Sequence, residues 1–158
     1  MKASRSTPGA ATGSTRPDNV WLGRYARLVA AATLVLIFAG GLVTSTGSGL
    51  AVPDWPLSYG MLFPPMIGGI LFEHGHRMVA ATVAAMMAIL CVWIWRKEPR
   101  SWVKKLGFFA MGAVLCQALL GGLTVLLLLP DLVSVSHAGL AEIFFCLTVT
   151  IAVVTSRG

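Results

Sequence analysis

Charge is scarce in this chain. Lys, Arg, Asp and Glu make up 11% of its 158 residues, where a soluble domain carries about a quarter, and the deficit excludes an ordinary soluble globular protein. Cysteine is scarce too. Cys91, Cys116 and Cys146 fall singly in apolar stretches, far apart and without metal-ligand spacing, which excludes a disulfide framework and leaves them as small apolar packing residues. The opening segment "MKASRSTPGAATGSTRPDNV" has no apolar core for a signal peptide and is rich in Ser, Thr, Gly and Pro, so residues 1–24 are expected to form a disordered basic tail.

What the chain has in quantity is apolar length. Hydrophobic residues make up 56% of it and the mean hydropathy is +0.80. Four stretches are free of charge or nearly so: Leu28 to Ser45, Met78 to Trp95, Leu106 to Leu129, and Leu132 to Ser156, which Glu142 alone interrupts. Each has the roughly 20 residues that cross a ~30 Å hydrocarbon core at 1.5 Å per residue. The expected fold is an all-α integral membrane protein, a four-helix transmembrane bundle over residues 25–158. Its helices are expected near 25–45, 73–95, 105–128 and 132–156, with a long loop at 46–72.

Lys and Arg lie almost entirely in the first 27 residues, in the connection "RKEPRSWVKK" and at Arg157. By the positive-inside rule both termini and that connection are cytoplasmic, and the helices form two outward-pointing hairpins. The net charge of +6 is therefore placed for topology and for anionic membrane lipid, not for nucleic acid.

The hairpins read as a divergent repeat. Helix one nears its outer end with Gly40-Gly41-Leu42-Val43-Thr44 and helix three with Gly121-Gly122-Leu123-Thr124-Val125, and each is followed by a helix bearing a histidine early, His76 or His137. The first outer loop is longer by about 20 residues, and its Pro-Asp-Trp-Pro and Pro-Pro punctuation predicts a fixed structure. Trp55, Tyr59 and Phe63 in it suit an interfacial lid.

His76 and His137 are expected at similar depth, facing each other across the bundle. Two opposed imidazoles in an apolar bundle with Gly-Gly steps are what a six-coordinate haem requires; the plainer alternative is that each histidine marks a membrane interface. Zinc is less attractive, because His74 and His76 point about 200° apart on a helix, which turns His74 to the loop or to headgroups. Glu73, about 60° from His76, would border whatever that imidazole holds, exchanging a proton or stabilising positive charge. It could equally be an interfacial acid paired with Arg77. Arg77 sits where it could pair with a haem propionate or anchor to headgroups. Gln117 and Glu142 are polar groups deep in apolar helices that need partners; Glu142, about 140° round from His137, suits packing or proton supply.

On these residues the chain resembles the haem A synthase family. The matching segments are "GGLVTSTGSGLAVPDWPLSYG", the following "PP", "EHGHR", "LGGLTVL" and "VSHAGLA", and the resemblance covers about residues 25–156. It implies a multi-pass protein of a prokaryotic plasma membrane that oxidises a methyl group of haem O to the formyl group of haem A. Carried over, the Glu-x-x-His-Arg motif falls on Glu73, His76 and Arg77, and the second axial ligand on His137, with Glu73 catalytic. Family members are usually eight-helix proteins of two halves, one of which holds haem b. This chain resembles the first half, which implies a homodimer or a second-half partner. Haem O synthase and an electron donor are further implied partners. Many members carry two loop cysteines where Val52 and Ser58 stand here, which excludes a thiol-disulfide role for this loop. Two other readings remain: a non-catalytic bis-histidine b-type cytochrome or haem carrier, and a structural subunit with interfacial histidines.

Overall fold

The structure, a computed structural model, describes residues 17–156; the tail expected at 1–24 lies outside the described residues up to position 16. Four helices follow one another: α1 Pro17–Ser45, α2 Gly69–Lys97, α3 Ser101–Leu126 and α4 Asp131–Ser156. All four are long and apolar enough to cross a membrane. Helices suit that setting because every mid-helix backbone N–H and C=O is satisfied within its own segment.

Sequence chemistry sets the helix ends. Pro17 begins α1, where its missing N–H costs nothing, and so residues 17–24 are helical where the sequence reading placed tail. α2 also starts early, at Gly69 directly after the positive-φ Gly68 (φ 56°), four residues before the expected 73. It stops at Lys97 because Glu98 precedes Pro99 and is held extended (φ −86°, ψ 124°). Pro130 precedes α4, and Asp131 places a negative charge in its first turn.

The helices form a four-cornered bundle in chain order. α1 packs on α2 and α4, and α3 packs on α2 and α4, so α2 and α4 stand on one diagonal, with no Cα pair within 8 Å of each other. One end carries the 46–68 loop and the short 127–130 turn; the other carries Arg96, Lys97, Arg100, Lys104 and Lys105.

The close-packed core lies toward the basic end. Leu22, Ala26 and Val29 of α1, Met87, Leu90 and Ile94 of α2, Val103 and Ala110 of α3, and Ile151 and Ala152 of α4 are buried together there. Small residues allow close approach, as packing between membrane helices requires. A side chain at Gly23 would meet the Thr155 carbonyl oxygen at 3.0 Å. Arg100 closes this end, forking onto Glu98 (Nε to Oε1 2.6 Å, Nη2 to Oε2 3.0 Å) and donating to the Val154 carbonyl at 3.2 Å. This pairing with Arg100 holds the Glu98 carboxyl below its ordinary range.

At the loop end the interior is built differently, from polar contacts and from the histidines.

Candidate functional site

His76 stands seven residues into α2 from Gly69, and His137 six into α4 from Asp131. At 1.5 Å per residue both imidazoles lie about 10 Å below their helix starts. They occupy the two diagonal helices. His76 thus sits two turns inside α2.

Each ring rests on a glycine of the neighbouring helix. A Cβ at Gly40 of α1 would lie 3.2 Å from His76 Cε1, and one at Gly121 of α3 would lie 3.2 Å from His137 Cε1. Nδ1 of each ring is buried without a hydrogen-bond partner. Gln117 Nε2 donates to the His137 carbonyl at 3.0 Å, tying α3 to α4 at the level of the ring. Its Oε1 is buried and unpaired.

Glu73, His74 and Arg77 turn to the loop. Glu73 is 3% exposed; its Oε2 accepts from Val52 N at 2.8 Å and its Oε1 from Arg77 Nη2 at 2.6 Å. Arg77 also donates through Nη1 to the carbonyls of Asp54 (2.7 Å) and Leu57 (2.9 Å), and through Nη2 to that of Val52 (3.3 Å). Through those donors the guanidinium staples the loop to α2. His74 faces the loop, as its helical angle required, but it is buried, its Nδ1 2.7 Å from Ser58 Oγ. Val52 and Ser58 are both fully buried, so each of these loop positions is held to α2 by a hydrogen bond.

The loop is a defined structure. Asp54 accepts from Gly60 N (2.8 Å) and Tyr59 N (2.7 Å), and these N–H donors, Gly60 first, lower its carboxyl pKa. Ser58 and Met61 pair through two backbone hydrogen bonds of 3.0 Å. Trp55 lies against α3, where a Cβ at Gly122 would meet its ring at 2.7 Å. The lid expectation thus centres on Trp55, whereas Phe63 is 75% exposed.

Glu142 is exposed on the outer side of α4, near mid-helix, with no hydrogen bond or ion pair among the described residues. Two open apolar grooves also lie on the outside: one of about 500 Å³ lined by Ala88, Ile89, Val92, Trp93, Arg96 and Lys97, the other of about 320 Å³ between α1 and α2. Neither contains a histidine.

Sequence reasoning missed the contacts of Ser58 with His74 and of Trp55 with Gly122. The Gly-Gly repeat was the available signal for the second, since it marked the positions where backbone is approached closely.

Fold and site together define a four-helix membrane protein that presents two imidazoles across its diagonal. The family model described as cytochrome oxidase assembly protein, COX15-CtaA, matches residues 23–75 and 70–149, and the chain belongs to this family. It is 34% identical over 139 residues to the heme A synthase of Lysinibacillus sphaericus, covering 86% of this chain and 45% of the relative. It is 33% identical over 118 residues to that of Bacillus licheniformis (72% and 38%) and 32% identical over 153 residues to that of Brucella anthropi (89% and 42%). The chain thus spans less than half the length of these relatives. No solved structure matches it.

Proposed function

We propose that this chain acts in haem A biosynthesis, oxidising a methyl group of haem O to the formyl group of haem A, with His76 and His137 as the residues that would hold the haem iron. The observation that carries this is the pair of imidazoles on the diagonal helices, each lying against a glycine of the neighbouring helix with its Nδ1 buried and unpaired. The residues present fit a flat iron macrocycle: two nitrogen donors, bare glycine backbone beside each ring, and an apolar core concentrated in the other half of the bundle. The names of the relatives support the substrate.

Haem iron, when bound, supplies the redox chemistry. The chain's own residues hold, orient and enclose. His76 and His137 fix the ring between the diagonal helices. The Trp55 loop, stapled by Arg77, covers the end of the bundle and limits water. Glu73 lies one turn before His76 on α2 and, ionised, would stabilise positive charge as it forms on the bound group; protonation would weaken both hydrogen bonds that hold it. The oxidation needs an electron acceptor, which a haem b held in a second four-helix unit would supply, and the exposed Glu142 face of α4 is where a second copy of the chain would pack. A carboxylate at mid-membrane depth needs such cover. The basic end faces the cytoplasm.

The test is co-expression with a haem O-producing enzyme, followed by extraction of the haems. Haem A or its hydroxylated intermediate is expected, and both should vanish in His76→Ala and His137→Ala proteins. Wild-type protein present in the membrane with neither product would overturn the catalytic reading, and haem B alone would identify a b-type cytochrome.

A further inference from the structure

Glycines 40 and 41, and 121 and 122, form equivalent pairs in the two hairpins, yet their four positions meet different surroundings. A Cβ at Gly40 would meet His76 at Cε1 (3.2 Å), Nδ1 (3.6 Å) and Nε2 (3.8 Å). One at Gly121 would meet His137 at Cε1 (3.2 Å), Nε2 (3.8 Å) and Nδ1 (3.9 Å). Gly122 lies under Trp55, and Gly41 meets nothing within 4 Å. The first glycine of each pair therefore touches the same edge of a histidine at the same distance, on two helices with no Cα pair within 8 Å of each other.

We infer that Gly40 and Gly121 are positioning residues for the two imidazoles, their bare backbone setting the depth and tilt at which each ring is offered to a ligand. The inference rests on the bis-histidine reading above. A methyl group at 3.2 Å forces the ring to give by a few tenths of an ångström. Each ring is braced by a different helix, so displacement of one is not followed by the other. Two axial ligands on a common iron require both nitrogens in place, and supporting contacts of this kind change affinity on the order of tenfold or more.

The experiment uses full-length protein purified in detergent and titrated with haemin, comparing wild type with Gly40→Ala, Gly121→Ala, Gly41→Ala and Gly139→Ala. Gly139, like Gly41, has nothing within 4 Å. Haem stoichiometry and the low-spin electron paramagnetic resonance signal are the readouts. Gly40→Ala and Gly121→Ala are expected to weaken haemin binding on the order of tenfold or to shift the low-spin signal, with both control variants matching wild type. Equal behaviour of all four variants would overturn the inference. A wild type without a bis-histidine signal would overturn it together with the reading it rests on.

A thermal double-mutant cycle separates ring contact from helix packing even where Gly40→Ala folds poorly. Gly40→Ala should destabilise the protein when His76 is present and not in the His76→Ala background. Equal destabilisation in both backgrounds would assign Gly40 to helix packing and sink the proposal.

Discussion

One guanidinium ties the long loop to α2 through several acceptors at once. Arg77 spreads its bonds over the carbonyls of Val52, Asp54 and Leu57 and the carboxylate of Glu73, a fan of acceptors that a planar five-donor group can serve and an ammonium cannot. Arg77→Ala leaves Glu73, with 4% of its side chain exposed, charged and without its partner, which costs about 3 kcal/mol. The expected result is a lower melting temperature and rapid protease cleavage between residues 46 and 68. Arg77→Lys should recover only part of either, and full recovery would show that charge alone matters. The sequence made Glu73, His76, Arg77 and His137 legible as one constellation, because polar residues in apolar helices are conspicuous. It did not make legible what Arg77 bonds to: its main acceptors are backbone carbonyls, which every residue carries and no side-chain pattern marks.

Among the elements, the three-residue link between α2 and α3 carries the clearest pH dependence. The Glu98 carboxyl is lowered from 4.5, first by its hydrogen bond from Arg100, and Arg100 in turn reaches the Val154 carbonyl near the end of α4. A depressed folded-state pKa contributes stability that is present above the unfolded value and lost as pH falls through the folded one. Wild type should therefore lose melting temperature as pH drops from above 4.5 to below the Glu98 pKa, and Glu98→Gln should flatten that part of the profile. A parallel loss in the variant would assign the effect to other acids. The number, type and order of the helices were legible, since four apolar runs can satisfy their backbone in lipid only as helices. Their starts were less so. Pro17 and Gly68 act through backbone geometry, and both let helix begin before the apolar pattern does.

For the molecule as a whole, orientation and partnership are the open consequences of charge placement. In a Cys91, Cys116 and Cys146→Ala background, a cysteine at Leu62, 72% exposed in the loop, should react with a membrane-impermeant maleimide from outside intact cells, and one at Lys104 should not. The reverse pattern would invert the topology. Cys146 is exposed one helical turn from Glu142, on the same face of α4, so oxidative crosslinking of a chain retaining only Cys146 should yield a covalent dimer. Monomer alone would place some other partner on that face. The uneven distribution of buried side chains has a further, dynamic consequence. Interdigitated apolar side chains hold the basic end of every helix, while hydrogen bonds and two imidazoles hold the loop end, so amide hydrogen exchange should fall into two tiers. The slow tier should comprise the basic-end turns of all four helices, and the fast tier the turns around His76 and His137. A ligand joining those two rings should slow exchange on α2 and α4 together, as one cooperative unit spanning the diagonal of the bundle.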